Sequence, residues 1–566
     1  MSRYSVYLEV GQDGQCFAHV LELPGCIARA KTREASIMDV PGAISAYHAW
    51  LRRHGEAAPP DDEPTEFEIE DEEAGFGAFE PDDAAALFPP DRIAVDDQEM
   101  ARYFRLMEHA RSDLLALVED LTTETLDWEA PYLSAMGLPE PRLHTIRGLL
   151  RHIGNSEKWY TSRVVPRETL PPGWSADDSV PVLEYLSVVR HSAMKRLWQI
   201  DEQERSAVHH PSYWTGHPEE AWTLRKALRR FLEHEFEHTT QIRERLSLYR
   251  SALLARLAAE RSGLMEQLLG VDESPLTEAP IVGSWTAKDL LAHLASWDRW
   301  MHQTMRAMVA GHAPDFSALE DFDASNTAFL EPWRSSSLGE VLSEVRGARR
   351  EWIAWLEGLP EDAFFRRRSH AGRTWSNFRV PLRVIWEHDA EHSEQIASWR
   401  RGLVEQSGDG CRPVLDAALA AARAELLAAA ALVPPEARSS HGVCGEWTLK
   451  ELFGHQADWE WVGADGLREM AAGRTPQLAD LDDIDGWNQA HVESRQGQSW
   501  TEVRKNMVAA REALLSALQG VENDVLSQKF EFPWGGSGSV FDWAAIFVGH
   551  DRDHARELEP SGAQRA

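Results

Sequence analysis

Between Leu232 and Ile242 the chain reads LEHEFEHTTQI, which contains His-Glu-x-x-His. On a helix, the i,i+4 spacing puts both imidazoles on one face, where they can hold a metal ion with the intervening glutamate as a general base, the arrangement of a zinc peptidase. The pair recurs as His388 and His392 and again as His550 and His554. Each pair is preceded by one more histidine at a matching position: His152 before His234 and His238, His293 before His388 and His392, and His455 before His550 and His554. A pair on one helix with a third imidazole from a facing helix caps one side of a metal and leaves positions open for water or substrate, as catalytic sites do. Nitrogen donors suit zinc, nickel, iron or copper, and the donor set does not choose among them. The peptidase reading fails on comparison of the copies. Where Glu235 stands in the first, Asp389 and Asp551 stand in the others, one methylene shorter, and the third histidine lies upstream rather than downstream. What stays constant is H-x-x-[ED]-H-x-x-[QE]-[IL], through Gln241, Gln395 and Glu557.

The elements that must position these histidines repeat with them. GSWTAKDLLAHLASWD at 283–298 matches GEWTLKELFGHQADWE at 445–460, and the same offset of 162 carries His388 to His550, Asn326 to Asn488 and Arg349 to Arg511. HTIRGLLRHIGNSEKW at 144–159 is a more diverged copy, with 82 residues from His152 to His234 against 95 from His293 to His388. Those thirteen missing residues predict a loop or helix-end deletion. Each copy opens on an apolar stripe at helical spacing (Leu106, Ala110, Leu114; Leu257, Leu264, Leu268; Leu415, Leu419, Leu426) that reads as bundle core. A second helix carries the single histidine and starts at a capping box, Thr286 with Asp289 or Thr448 with Glu451; Gly148 takes the acid position after Thr145, so that cap is weaker. With a third helix and the paired-histidine helix, each copy is a four-helix bundle.

Composition is that of a globular chain, 43% hydrophobic and 27% charged, and no apolar run reaches the ~20 residues of a membrane span. The N-terminus lacks an apolar h-region, which makes the cytoplasm the expected compartment. Four cysteines without a C-x-x-C pair argue against a disulfide framework or a thiolate zinc site. A net charge of -34 disfavours nucleic acid as a partner. Seventeen acidic residues against one arginine lie between Glu56 and Glu99, a stretch that reads as a solvated linker in which TEFEIEDEE at 65–73 can add an edge strand. Several tryptophans flank the histidines (Trp159, Trp297, Trp300, Trp386, Trp459), as pocket wall or bundle core.

The WTxxDLLAH pattern, the following Trp297 or Trp459, the Asp-x-x-Asn at 323–326 and 485–488, and the EHxxEHxxQI of the last helix resemble the DinB/YfiT-like superfamily of metal-binding four-helix bundles. That resemblance implies a tri-histidine metal site, a divalent transition metal such as zinc, nickel or iron, and for some members reactions with a low-molecular-weight thiol co-substrate: bacillithiol S-transferases, mycothiol-dependent maleylpyruvate isomerase and the thiol-binding part of ergothioneine synthases. DGQCFAHVLELPGCIARAKTREA at 13–35, with its Asp13-Gly14 hairpin signal and Pro24-Gly25 turn, resembles HicB-like antitoxin domains and implies a β-β-β-α head able to contact a protein partner. Pro41-Gly42 is expected to interrupt the head's helix, and His19 with Asp13 makes no nuclease site. The expected architecture is mainly α: a head at 1–74, an acidic linker at 75–95, and bundles at 96–247, 248–405 and 410–560. The expected function is metal-dependent transfer or isomerisation on small electrophilic substrates. A non-catalytic metal-stabilised scaffold and a metal-activated hydrolase are the alternatives.

Overall fold

The computed structural model describes residues 2–60, 63–75, 86–133, 141–166, 179–212, 215, 217–370, 373–375, 377–403, 410–477 and 483–558. The chain divides into two compact units, one of residues 1–128 with 138–245 and one of residues 129–137 with 246–566. Among the described residues, no helix is long and apolar enough to cross a membrane.

The first unit begins with the head. Strands β1 (Ser2–Val10), β2 (Cys16–Val20) and β3 (Ile27–Ala30) pair antiparallel in turn; β1 meets β2 around Gly14, whose φ of +85° is the turn the Asp13-Gly14 dipeptide supplies, and β2, buried along its whole length, meets β3 across the Pro24-Gly25 turn. Helix α1 (Arg33–Arg53) crosses to β4 (Thr65–Ala74), which pairs parallel with β1, so the sheet order is β3-β2-β1-β4. The acidic 65–73 segment is thus an edge strand, and its charges guard the open edge. Pro41 does not interrupt α1. The helix runs through it because Val40, Ile44, Tyr47 and Leu51 bury one face, and that burial offsets the lost hydrogen bond. Residues 76–85 of the expected linker lie outside the described residues. Beyond them the linker is packed rather than solvated: Ala86, Leu87 and Phe88 are buried, and buried Asp91 accepts from Arg229 at 2.9 Å.

Copy one follows with α2 (Asp97–Val118), a short α3 (Thr123–Asp127), α4 (Ile146–Val164), α5 (Val182–Trp198) and the start of α6 (Leu224–Gln267). Helix α4 is capped by Thr145 alone. A Cβ at position 148 would lie 1.5 Å from the Arg142 carbonyl oxygen, so the acid of the capping box is sterically excluded there. The head and copy one share one core, in which Val6, Ile44 and Tyr47 pack with Met107, Leu228 and Leu232.

Copy two begins inside α6, for nothing between the last helix of copy one and the first of copy two stops a helix: the segment holds no proline and no capping residue pattern. Its further helices are α7 (Glu273–Glu278), α8 (Ala287–Val309), α9 (Phe322–Leu330), α10 (Leu338–Glu357), α11 (Glu361–Phe365) and α12 (Arg379–Arg401), with a hairpin of β5 (Arg368–His370) and β6 (Arg373–Trp375). Copy three has α13 (Arg412–Ala430), hairpin β7 (Gly442–Cys444) and β8 (Trp447–Thr448), α14 (Leu449–Ala471), α15 (Ile484–Ser494), α16 (Trp500–Gln519), hairpin β9 (Lys529–Glu531) and β10 (Ser537–Ser539), and α17 (Val540–Leu558). Both α8 and α14 begin at complete capping boxes, Thr286 with Asp289 and Thr448 with Glu451. Residues 165–181 connect α4 to α5, against 310–337 between α8 and α10, so most of the shortening of copy one falls between its second and third helices.

Candidate metal centres

In each copy the three histidines named from spacing come together. Helix α4 brings His152 to His234 and His238 of α6, with Nε2 to Nε2 distances of 3.2 Å (His152 to His234) and 3.0 Å (His234 to His238). In copy two, His293 on α8 meets His388 on α12 at 2.9 Å, and His388 meets His392 at 3.0 Å. In copy three, His455 on α14 meets His550 on α17 at 3.0 Å, and His550 meets His554 at 3.1 Å.

The donor chemistry fits a cation. His392 Nδ1 donates to Gln395 Oε1 at 2.8 Å, while the Gln395 amide donates to Glu391 Oε1 at 3.2 Å, which fixes the amide orientation. His392 therefore turns a bare Nε2 lone pair toward its two neighbours. His238 is held the same way by Gln241 at 2.8 Å, and His554 by Glu557 at 2.6 Å. Nitrogens about 3 Å apart suit a common ion about 2.0–2.1 Å from each. Burial and the neighbouring imidazoles push His293 down to about 3 and His388 down to about 4; burial and His554 push His455 down to about 4. These rings are neutral at pH 7, the form that ligates. Each triad can hold a metal ion.

Glu235, the glutamate of His-Glu-x-x-His, turns into the bundle core instead of toward the imidazoles. It is 1% exposed, and its two oxygens accept from Arg111 at 2.5 Å and from Arg190 at 2.7 Å. Burial alone would push its carboxyl up, but the two guanidinium groups outweigh that and hold it below the usual carboxylate range. Arg190 also donates to Glu157 at 3.1 Å. Copy two repeats this four-residue network: Asp389 accepts from Arg261 at 2.8 Å and pairs with Arg349 at 3.0 Å, and Arg349 donates to Asp298 at 2.8 Å. Copy three repeats it with Asp551, Arg423, Arg511 and Glu460. Glu235 is thus a structural anion, fully engaged and unable to serve as a base. Sequence reading passed over this network, although Arg261 with Arg423 and Asp298 with Glu460 keep the 162-residue offset.

The surroundings of the triads differ. Copy two opens on a cavity of about 530 Å³ whose walls include Trp285, Trp297, Trp300, Phe322, Glu387 and Glu391. Trp285 packs on His293 with ring centroids 5.0 Å apart. The Trp297 indole donates to Asn326 at 3.0 Å, which ties α9 to α8 and gives the Asp-x-x-Asn motif its role; Trp459 and Asn488 repeat that bond at 3.0 Å. In copy one Ser156 stands at the Trp297 position, and His152 borders a polar cavity of about 770 Å³ lined in part by Arg142, Arg147, Arg151 and Asn155.

On the other side of α6, the head touches the residues next to the ligands. His19, fully buried, bonds Glu233 through Nδ1 at 3.0 Å, and Arg29 pairs with Glu237. Gly25, at φ +96°, lies so close to α6 that a Cβ there would sit 2.7 Å from the Phe236 ring. Asp13 is exposed at the hairpin turn, so His19 and Asp13 do not share a site.

A 59-residue stretch is 34% identical to UPF0150 protein Ta0767 of Thermoplasma acidophilum, covering 10% of this chain and 86% of that protein. No solved structure matches the chain. The DinB superfamily model matches residues 106–242, 256–396 and 418–558, each span holding one triad and one four-residue ionic network. Three times along its length, this chain belongs to the DinB superfamily.

Proposed function

We propose that copy two is a metal-dependent catalytic centre that joins or isomerises small electrophiles with the help of a low-molecular-weight thiol. The observation that carries this is three converging imidazoles beside a tryptophan-walled cavity of about 530 Å³. A divalent cation held by His293, His388 and His392 supplies a lowered thiol pKa, so that the nucleophile exists at neutral pH. The chain's own residues do the rest. Gln395 holds the His392 tautomer, Trp285 and Trp297 exclude water and present flat apolar surface to the substrate, and Glu387 and Glu391 place carboxylates on the wall that can take up a proton. The four cysteines are free, which suits a thiol-dependent protein in the reducing cytoplasm.

The head supports a second reading for copy one. Its likeness to the UPF0150 protein fits the HicB-like resemblance, yet its His19 and Arg29 are spent on α6 and its core is continuous with the bundle. Copy one in this reading is a scaffold that the head completes, and a protein partner would meet the joined pair.

The test is elemental analysis of protein purified without chelators, followed by turnover with glutathione, bacillithiol or mycothiol and a panel of small electrophiles. Bound metal and thiol-dependent turnover that falls at least a hundredfold in His388→Ala are expected. Absence of metal, or turnover unchanged in His388→Ala, overturns the catalytic reading; bound metal with no thiol activity, and a melting temperature lowered by chelation, favours the scaffold.

A further inference from the structure

We infer that copy three carries a second cation site that, among the described residues, copies one and two lack, built from Cys444, Glu557 and the Nδ1 face of His554. Cys444 ends β7, and Gly445 at φ +58° turns the hairpin so that Trp447 packs on His455 with ring centroids 4.9 Å apart. This turn also presents the Cys444 thiol to α17. Its Sγ donates to Glu557 Oε2 at 2.9 Å, and the same oxygen accepts from His554 Nδ1 at 2.6 Å. Sulfur, nitrogen and carboxylate oxygen lie within 4.8 Å of one another, on the side of His554 opposite the Nε2 that faces His550.

The register of the repeats shows that this cluster is particular to copy three. In copy two the hairpin position is Val282 and the helix position is Gln395; in copy one the helix position is Gln241. Valine and glutamine offer no anionic donor. The two changes that create a thiol and a carboxylate occur in the same copy and touch each other, and either alone would leave an incomplete donor set. Burial and Glu557 push the Cys444 thiol up to about 12, so by itself it stays protonated and is a poor nucleophile. A cation changes that balance. On binding, the Sγ proton leaves to solvent, and the His554 ring proton moves from Nδ1 to Nε2 while the triad is empty, or leaves to solvent when a triad metal already holds Nε2, so that thiolate, ring nitrogen and carboxylate face the ion. The mixed sulfur and nitrogen set favours zinc, cadmium or copper(I) over magnesium or calcium. Cys444 and His554 are half-buried and Glu557 is exposed, which leaves an approach from solvent. The site shares His554 with the tri-histidine cluster, but its three donors do not require that cluster to be filled.

Cobalt(II) is the probe. The full-length protein, stripped of metal, is titrated while the near-ultraviolet thiolate-to-cobalt band and the weaker visible bands of imidazole-bound cobalt are followed. A thiolate band that is lost in Cys444→Ser, retained in Cys411→Ser and weakened in titre at least tenfold by Glu557→Gln is expected, with the visible bands kept throughout. The double variant Cys444→Val with Glu557→Gln restores the pair that copy two carries, should melt as the parent does, and should also lack the band. No thiolate band at saturating cobalt, or a band that survives in either Cys444 variant, overturns the site. Failure of the tri-histidine reading would be seen separately, as visible bands that are absent in Cys444→Ser.

Discussion

Copies one and two build the same triad and the same buried ionic network, yet put them in different surroundings. In copy two, Glu387 and Glu391 stand on the wall of an aromatic cavity, and Glu387 has only a half-exposed partner, Arg383, at 2.7 Å. Their counterparts in copy one, Glu233 and Glu237, are covered by the head, Glu233 held among His19, Arg229 and Arg230, and Glu237 by Arg29. Exposed ion pairs contribute ~0–1 kcal/mol, whereas buried charged groups must be fully matched. The comparison teaches that one scaffold can present the same inner donors either to a small-molecule cavity or to a docked domain, according to what covers the outer face of its last helix.

The widest break in this comparison is at the part the copies share. Asp389→Ala leaves buried Arg261 and Arg349 with Asp298 alone to share and is expected to destabilise the protein by ~3–5 kcal/mol; Glu235→Ala should do the same by leaving Arg111 and Arg190 with Glu157 alone. Denaturant unfolding measures both. Equal losses would establish the network as common framework, and a stable Glu235→Ala variant that lost activity would revive the peptidase reading. Next in size is Gly25→Val, which forces a branched side chain into the Phe236 ring at a left-handed backbone position and should cost about 1–3 kcal/mol. It should expose the face of α6 carrying Glu233 and Glu237, seen as faster hydrogen exchange over residues 224–240, and leave turnover at copy two unchanged. The smallest effect is expected for Trp297→Ala, which removes cavity wall, the bond to Asn326 and an edge contact with the His293 ring at 6.3 Å between centroids, but no metal donor. Substrate KM should rise about tenfold, the equivalent of about 1.4 kcal/mol, with bound metal unaltered. Loss of metal in that variant would show that the wall, too, is part of the framework.

The triads were legible because their signal is local and repeated. A histidine pair at i,i+4 declares its own face, and a register held over 162 residues names the third member. The capping boxes of α8 and α14 and the head's first hairpin were legible for the same reason, each being decided within a few residues. Pro41 misled, because burial of Val40 and Ile44 on the sheet overrides a local helix breaker. The acidic linker misled in part, because Asp91 finds Arg229, 138 residues away, and is buried with it.

What the sequence by itself determined is therefore the repeated bundle, the nine histidines and the helices that carry them, since periodicity and register are properties of the chain alone. Only the tertiary structure decided which way Glu235 faces, that Cys444 and Glu557 meet at 2.9 Å, and that the head closes over Glu233 and Glu237. Those outcomes depend on charges and donors brought together from segments about 100 to more than 200 residues apart, where a buried group takes whichever partner the packing delivers and no spacing rule records the choice.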